Sequence, residues 1–137
     1  MNKAKKYLLE IKTLKRTADV LEEQIEMLRI QASQVRGISY DKLRVDGTPN
    51  RGMDDIVIEL RECEKKYQES IAKYHTAVQV RTEQIMQLEK PEYVQVLLLR
   101  YVQDKRLDVI ADEMGYSFDW IRHMHGAALE EFAERFI

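Results

Sequence analysis

The 137-residue sequence predicts an all-α protein: a long two-helix arm over residues 1–90, then a module of three short helices over residues 91–137. Three observations predict it. Two Pro and five Gly in the whole chain leave helices largely uninterrupted, and Leu, Ile, Glu, Lys, Arg and Gln abound. Apolar residues recur at alternating spacings of three and four over two stretches of more than 30 residues each. The last 47 residues change pattern, with capping signals at short intervals.

The first seam runs Ala4, Tyr7, Ile11, Leu14, Ala18, Leu21, Ile25, Leu28, Ala32 and Val35. A stripe of that period is covered only by another helix wound left-handed around it. The predicted helix spans residues 3–35. The stretch 37–52 then collects Gly37, Ser39, Asp41, Asp46, Gly47, Thr48, Pro49, Asn50 and Gly52, which are turn residues. Within it, residues 40–45 have room for a short ordered, extended segment. The second seam is Met53, Ile56, Leu60, Cys63, Tyr67, Ile71, Tyr74, Val78, Arg81, Ile85 and Leu88, predicting a helix over 53–89. Two consecutive steps of four, at 63–67–71, form a stutter that locally unwinds a supercoil. Arg81 puts a charge in the seam, which costs stability and fixes register. Two helices of similar length joined by about 16 residues fit an antiparallel coiled-coil hairpin. Two helices alone shield little of an aromatic-containing stripe, so a homodimer through the arm is expected.

Pro91 carries the fixed backbone angle of a first helical residue, ending the long helix and opening a new one to about Val102, with Val94, Leu97, Leu98 and Tyr101 on one face. A second short helix runs over residues 106–114. Gly115 suits a left-handed C-cap and Ser117 an N-cap. A third helix spans residues 118–136. The small Ala111 four residues before Gly115, with an inward set of Leu107, Ile110, Met114, Tyr116, Ile121 and Met124, is the layout of a helix-turn-helix. Trp120, one position off the solvent-most face, is expected to pack on the module's first helix or to lie at the DNA or partner surface.

Other chemistry is sparse. No apolar run approaches the roughly 20 residues of a membrane helix, and no signal-type apolar core follows Met1, so no membrane association and a cytoplasmic location are expected. Cys63, the single cysteine, lies on the second seam and is expected to be a buried structural thiol. His123 and His125 project from different faces of one helix and cannot chelate one ion together, and His75 is expected to be solvated. With no Gly-rich phosphate loop and no pocket-forming sheet, no catalytic residues, metal or cofactor are expected. The 22 basic and 24 acidic side chains give a net charge of −2 that is unevenly placed. Residues 1–50 carry ten Lys/Arg against seven Asp/Glu, whereas residues 91–137 carry five against nine.

The run from Leu97 to Phe132 resembles region four of bacterial sigma factors. The likeness rests on Arg100-Tyr101, Ile110-Ala111, Met114-Gly115, Ser117, Ile121-Arg122, Met124 and Ala128-Leu129. The string from Met114 to Leu129 also resembles small sigma-like proteins encoded by phages and prophages of Gram-positive bacteria. Those proteins place a helical arm ahead of the module, with a loop like Val45–Asn50 between its helices. The resemblance implies transcription regulation, often of late phage genes, by binding double-stranded DNA in the host cytoplasm, and it implies no catalysis. It assigns Ser117, Phe118, Asp119, Arg122 and His123 to the major groove and Lys105 and Arg106 to phosphates. The third helix departs from the Arg-, Lys- and Gln-rich recognition helices of region four, and an acidic module gains little from counterion release. Two other functions fit a helical arm with such a module: a DNA-packaging protein resembling a small terminase subunit, and an interaction module that binds RNA polymerase.

Overall fold

A computed structural model describes residues 2–37 and 52–137. All regular structure among the described residues is helical. The elements are α1 (Lys3–Gly37), α2 (Met53–Ile85), α3 (Pro91–Leu97, continued by a π-helical turn over Leu98–Val102), α4 (Leu107–Met114) and α5 (Phe118–Phe136). The expected turn-rich stretch, the extended segment 40–45 and the Val45–Asn50 loop lie outside the described residues. No helix among the described residues is long and apolar enough to cross a membrane.

The chain forms two compact units, residues 16–72 and residues 1–15 with 73–137. In the second of these, Asn2 opens α1 by accepting from the Ala4 and Lys5 amides through Oδ1, at 2.8 and 3.2 Å. The start of α1 and the end of α2 run side by side in opposite directions. Tyr7 donates its hydroxyl to Gln84 Oε1 at 2.8 Å, Arg81 meets Glu10 at 2.6 Å, and Lys15 lies over the Tyr74 ring. Arg81, the polar seam residue, is buried. Its Nε donates to the Tyr7 carbonyl at 3.0 Å and its guanidinium covers the Tyr7 ring at 4.0 Å. One side chain thus ties α2 at a single height to two successive positions on α1, which is how a seam charge selects register.

A first core joins Ala4 and Leu8 of α1, Ile85 at the end of α2 and Leu88 in the turn after it, Leu97 and Tyr101, and Ala128, Leu129 and Phe132 of α5. A second core holds Val96, Ile110, Ala111, Ile121 and Met124. Val96 and Leu97 are adjacent in sequence and both fully buried, because α3 contributes to both cores. The single apolar face expected for α3 therefore understates its burial. Residues 1–15 and 73–90 share their packing with residues 91–137, and Arg135 adds bonds from α5 to the Gln87 carbonyl and to Glu89.

In the unit of residues 16–72, Ala18, Ile25 and Leu28 of α1 and Ile56 of α2 are buried, and Arg29 lies 3.7 Å from Glu64. Every described residue of both expected seams is buried or half-buried. Cys63, expected to be buried, is half-buried instead, while Ser70, one heptad later on the same face, is buried. Helix α2 ends at Ile85 rather than 89, and residues 86–89 form the turn into Pro91. Leu8, Ser70 and Ala77 are buried although the seams omit them.

Gly126 sits in the middle of α5, exposed, and a Cβ built there would meet nothing within 4 Å. Gly126→Ala is accordingly expected to stabilise the fold by about 0.5–1 kcal/mol through helix propensity alone. Chemical denaturation of the two chains checks this, and a lower midpoint for the variant contradicts it.

Candidate nucleic-acid interface

The residues expected to act lie around the connection from α4 to α5. Arg106 enters in extended conformation and precedes α4. Ile110 and Ala111 bury the inner face of α4. Gly115 then adopts a left-handed conformation, φ 74°, which a side chain rarely takes, and the amides of Gly115 and Tyr116 both bond the Ala111 carbonyl. Ser117 caps α5 as expected: its Oγ accepts from the Trp120 amide at 3.1 Å. Ile121 and Met124 turn inward. The outward line of α5 starts with Asp119, Arg122 and His123, all exposed.

The structure brings Ser117, Phe118, Asp119, Arg122 and His123 into the first two turns of α5. Arg106 joins them, sharing a concavity with Phe118, Arg100, Leu107 and Asp108. Lys105 lies apart from that concavity and is tied down: its Nζ donates to both Glu113 oxygens at 2.7 and 2.9 Å. Arg106 donates to both oxygens of Asp108, at 3.1 and 2.7 Å. Their mutual bonds hold the Arg106 guanidinium charged to still higher pH and the Asp108 carboxyl below its ordinary range. Arg122 lies 3.7 Å from Asp119 and its guanidinium sits 5.8 Å from the Phe118 ring centre. Each of these three cations therefore faces a carboxylate of its own chain, which lowers the field they offer a polyanion.

One residue of the connection differs from expectation, and the structure chooses between two alternatives for another. Tyr116, expected inward, is 41% exposed, because the left-handed Gly115 swings the chain out before α5 begins. Trp120, expected either against the module's first helix or at a surface, is 50% exposed and stacks on His123 with ring centres 5.8 Å apart. It stands one residue before the fully buried Ile121, on the flank of the helix rather than its inner face. Both border an open groove of about 690 Å³ that Lys90, Tyr93 and Met124 also line. With Phe118 at 47% exposure, three large aromatic side chains stand in solvent within five residues.

His125 lies on the other side of α5. It stacks on Tyr101, with Nε2 2.7 Å from the phenol oxygen. Burial, then the charges of Arg100 and Lys5, push the imidazole down from 6.5 to about 4. Burial likewise pushes the Tyr101 phenol up to about 12. Among the described residues no group of three or more His, Cys, Asp or Glu is placed to hold a metal ion. Comparison with protein-family models, curated proteins and solved structures finds no match to this chain.

Proposed function

We propose that the chain is a DNA-binding transcription regulator of phage or prophage type, acting on late genes. In this reading α1 and α2 form an antiparallel coiled-coil hairpin, and α3–α5 form a helix-turn-helix of the sigma region-four kind. The observation that carries it is the α4–α5 connection. A buried small residue, Ala111, precedes a left-handed Gly115 by four positions, and Ser117 caps a helix that buries Ile121 and Met124 while exposing Asp119, Arg122 and His123. That spacing lets one helix cross behind another and present its first turns to a groove.

Arg122 is the principal base or phosphate contact of the proposed face, since its fork of donors suits guanine edges and phosphates alike. Arg122→Ala is expected to cost about 1–3 kcal/mol in specific DNA binding. Asp119→Asn is expected to tighten non-specific binding by removing a like charge. The check is a pair of titrations across salt, with circular dichroism as control. A wild type with no salt slope, bound no better than Arg122→Ala, removes the DNA reading.

Exposed Val20, Met27 and Ile30 on α1 and Ile58 on α2 support self-association through the arm, which doubles the DNA contacts. Light scattering is expected to give a dimer mass at micromolar concentration. A monomer contradicts this, and a closed ring of many copies favours DNA packaging instead. A second reading, docking on RNA polymerase, is favoured by the exposed Tyr116, Phe118 and Trp120, because aromatic side chains dominate protein-binding hot spots.

A further inference from the structure

The face proposed for DNA carries little unpaired positive charge. Lys105, Arg106 and Arg122 each have an intrachain carboxylate, and the Ser117 hydroxyl accepts from the Trp120 amide. At the first position of α5 the face offers an aromatic ring instead. Phe118 is 47% exposed, with the Arg122 guanidinium beside it one turn along the helix. This ring and this guanidinium lie side by side at the start of α5, apolar on one side and a donor fork on the other. The apolar group that the edges of B-DNA bases display in the major groove is the C5 methyl of thymine. The acceptor pair that fits an Arg fork there is O6 and N7 of guanine.

We propose that Phe118 and Arg122 together read a thymine next to a guanine, the ring covering the thymine methyl and the guanidinium bonding the guanine edge. The inference rests on the DNA reading above and names what that face recognises. It also explains how a module with nine acidic against five basic side chains discriminates sequence, since methyl burial adds affinity without needing net positive charge.

The test uses the full chain and duplexes it enriches from a randomised pool. In an enriched duplex, thymines are replaced one at a time by uracil, which lacks only the methyl. Replacement at one position is expected to weaken wild-type binding about fourfold, the effect of exposing one apolar carbon. Phe118→Ala is expected to weaken binding to the thymine duplex by a similar factor and to ignore the replacement, while Phe118→Leu keeps the preference. Circular dichroism verifies that both variants fold. An enriched duplex bound equally with every thymine or uracil overturns the inference and leaves the DNA reading standing. Loss of affinity in Phe118→Ala with no methyl dependence in wild type overturns it as well. If no duplex is enriched, the DNA reading fails together with the inference, and capture of purified RNA polymerase by wild type but not Phe118→Ala assigns the ring to a protein partner.

Discussion

Phe132→Ala is expected to lower stability by about 3–5 kcal/mol, enough to unfold a large fraction of a marginally stable chain at 37 °C. Phe132 is fully buried on α5. It packs against Tyr7 of α1 at 5.9 Å between ring centres and Phe136 at 5.0 Å, within the core that also holds Leu8, Ile85 and Leu97. Truncation leaves a cavity bounded by four different elements, and four helices cannot all move inward to fill it. Urea denaturation followed by far-ultraviolet circular dichroism measures the loss. A cost under 1 kcal/mol with an unchanged slope means that the core collapses around the missing ring, and that the contact between arm base and α5 is weaker than its burial indicates.

That core also explains which parts of the fold were legible in the sequence. The seams on α1 and α2 were readable because a narrow stripe of period 3.5 has few other uses. The caps at Pro91, Gly115 and Ser117 were readable because each residue type satisfies a particular backbone need, and all three occupy the expected positions. Leu8 was missed because it falls outside the alternation: it faces Phe132 and its neighbours in the first core rather than the seam. Nothing in a heptad pattern reveals that a distant helix returns to cover the base of the arm. Val96 was missed because α4 and the inner face of α5 cover a second face of α3, where the sequence reading gave that helix only one. The proposed interface was legible only by position. The resemblance put Ser117, Phe118, Asp119, Arg122 and His123 outward, and they are exposed. It did not reveal that Lys105 and Arg106 hold Glu113 and Asp108, since those contacts depend on rotamers rather than on periodicity. The exposed Trp120 had a usable signal. Counting 100° per residue from the inward Ile121 leaves Trp120 on a flank, where an indole reaches solvent.

Acidification should destabilise the chain through His125. Its folded-state value of about 4 lies below the ordinary 6.5 because the ring is buried and faces Arg100 and Lys5, so the folded protein favours the neutral imidazole. The unfolded chain binds the proton more tightly. The stability that neutral His125 contributes is therefore present in full above about pH 6.5, declines as the pH falls below that, and is gone below about 4. A shift of this size corresponds to about 2–3 kcal/mol after allowance for partial exposure. Tyr101 stays protonated beside the ring, its own ionisation pushed up to about 12 by burial, with the phenol oxygen 2.7 Å from Nε2. Unfolding free energies measured by urea at intervals from pH 7.5 to 4 should fall along this curve for the wild type. His125→Phe keeps the stacked ring on Tyr101 and removes the titrating group. It loses the hydrogen bond, so it starts lower by about 1 kcal/mol, yet its curve should lack the His125 component over the same window. Parallel curves for the two chains would mean that His125 carries its charge in the folded state and that carboxylates alone produce the acid sensitivity.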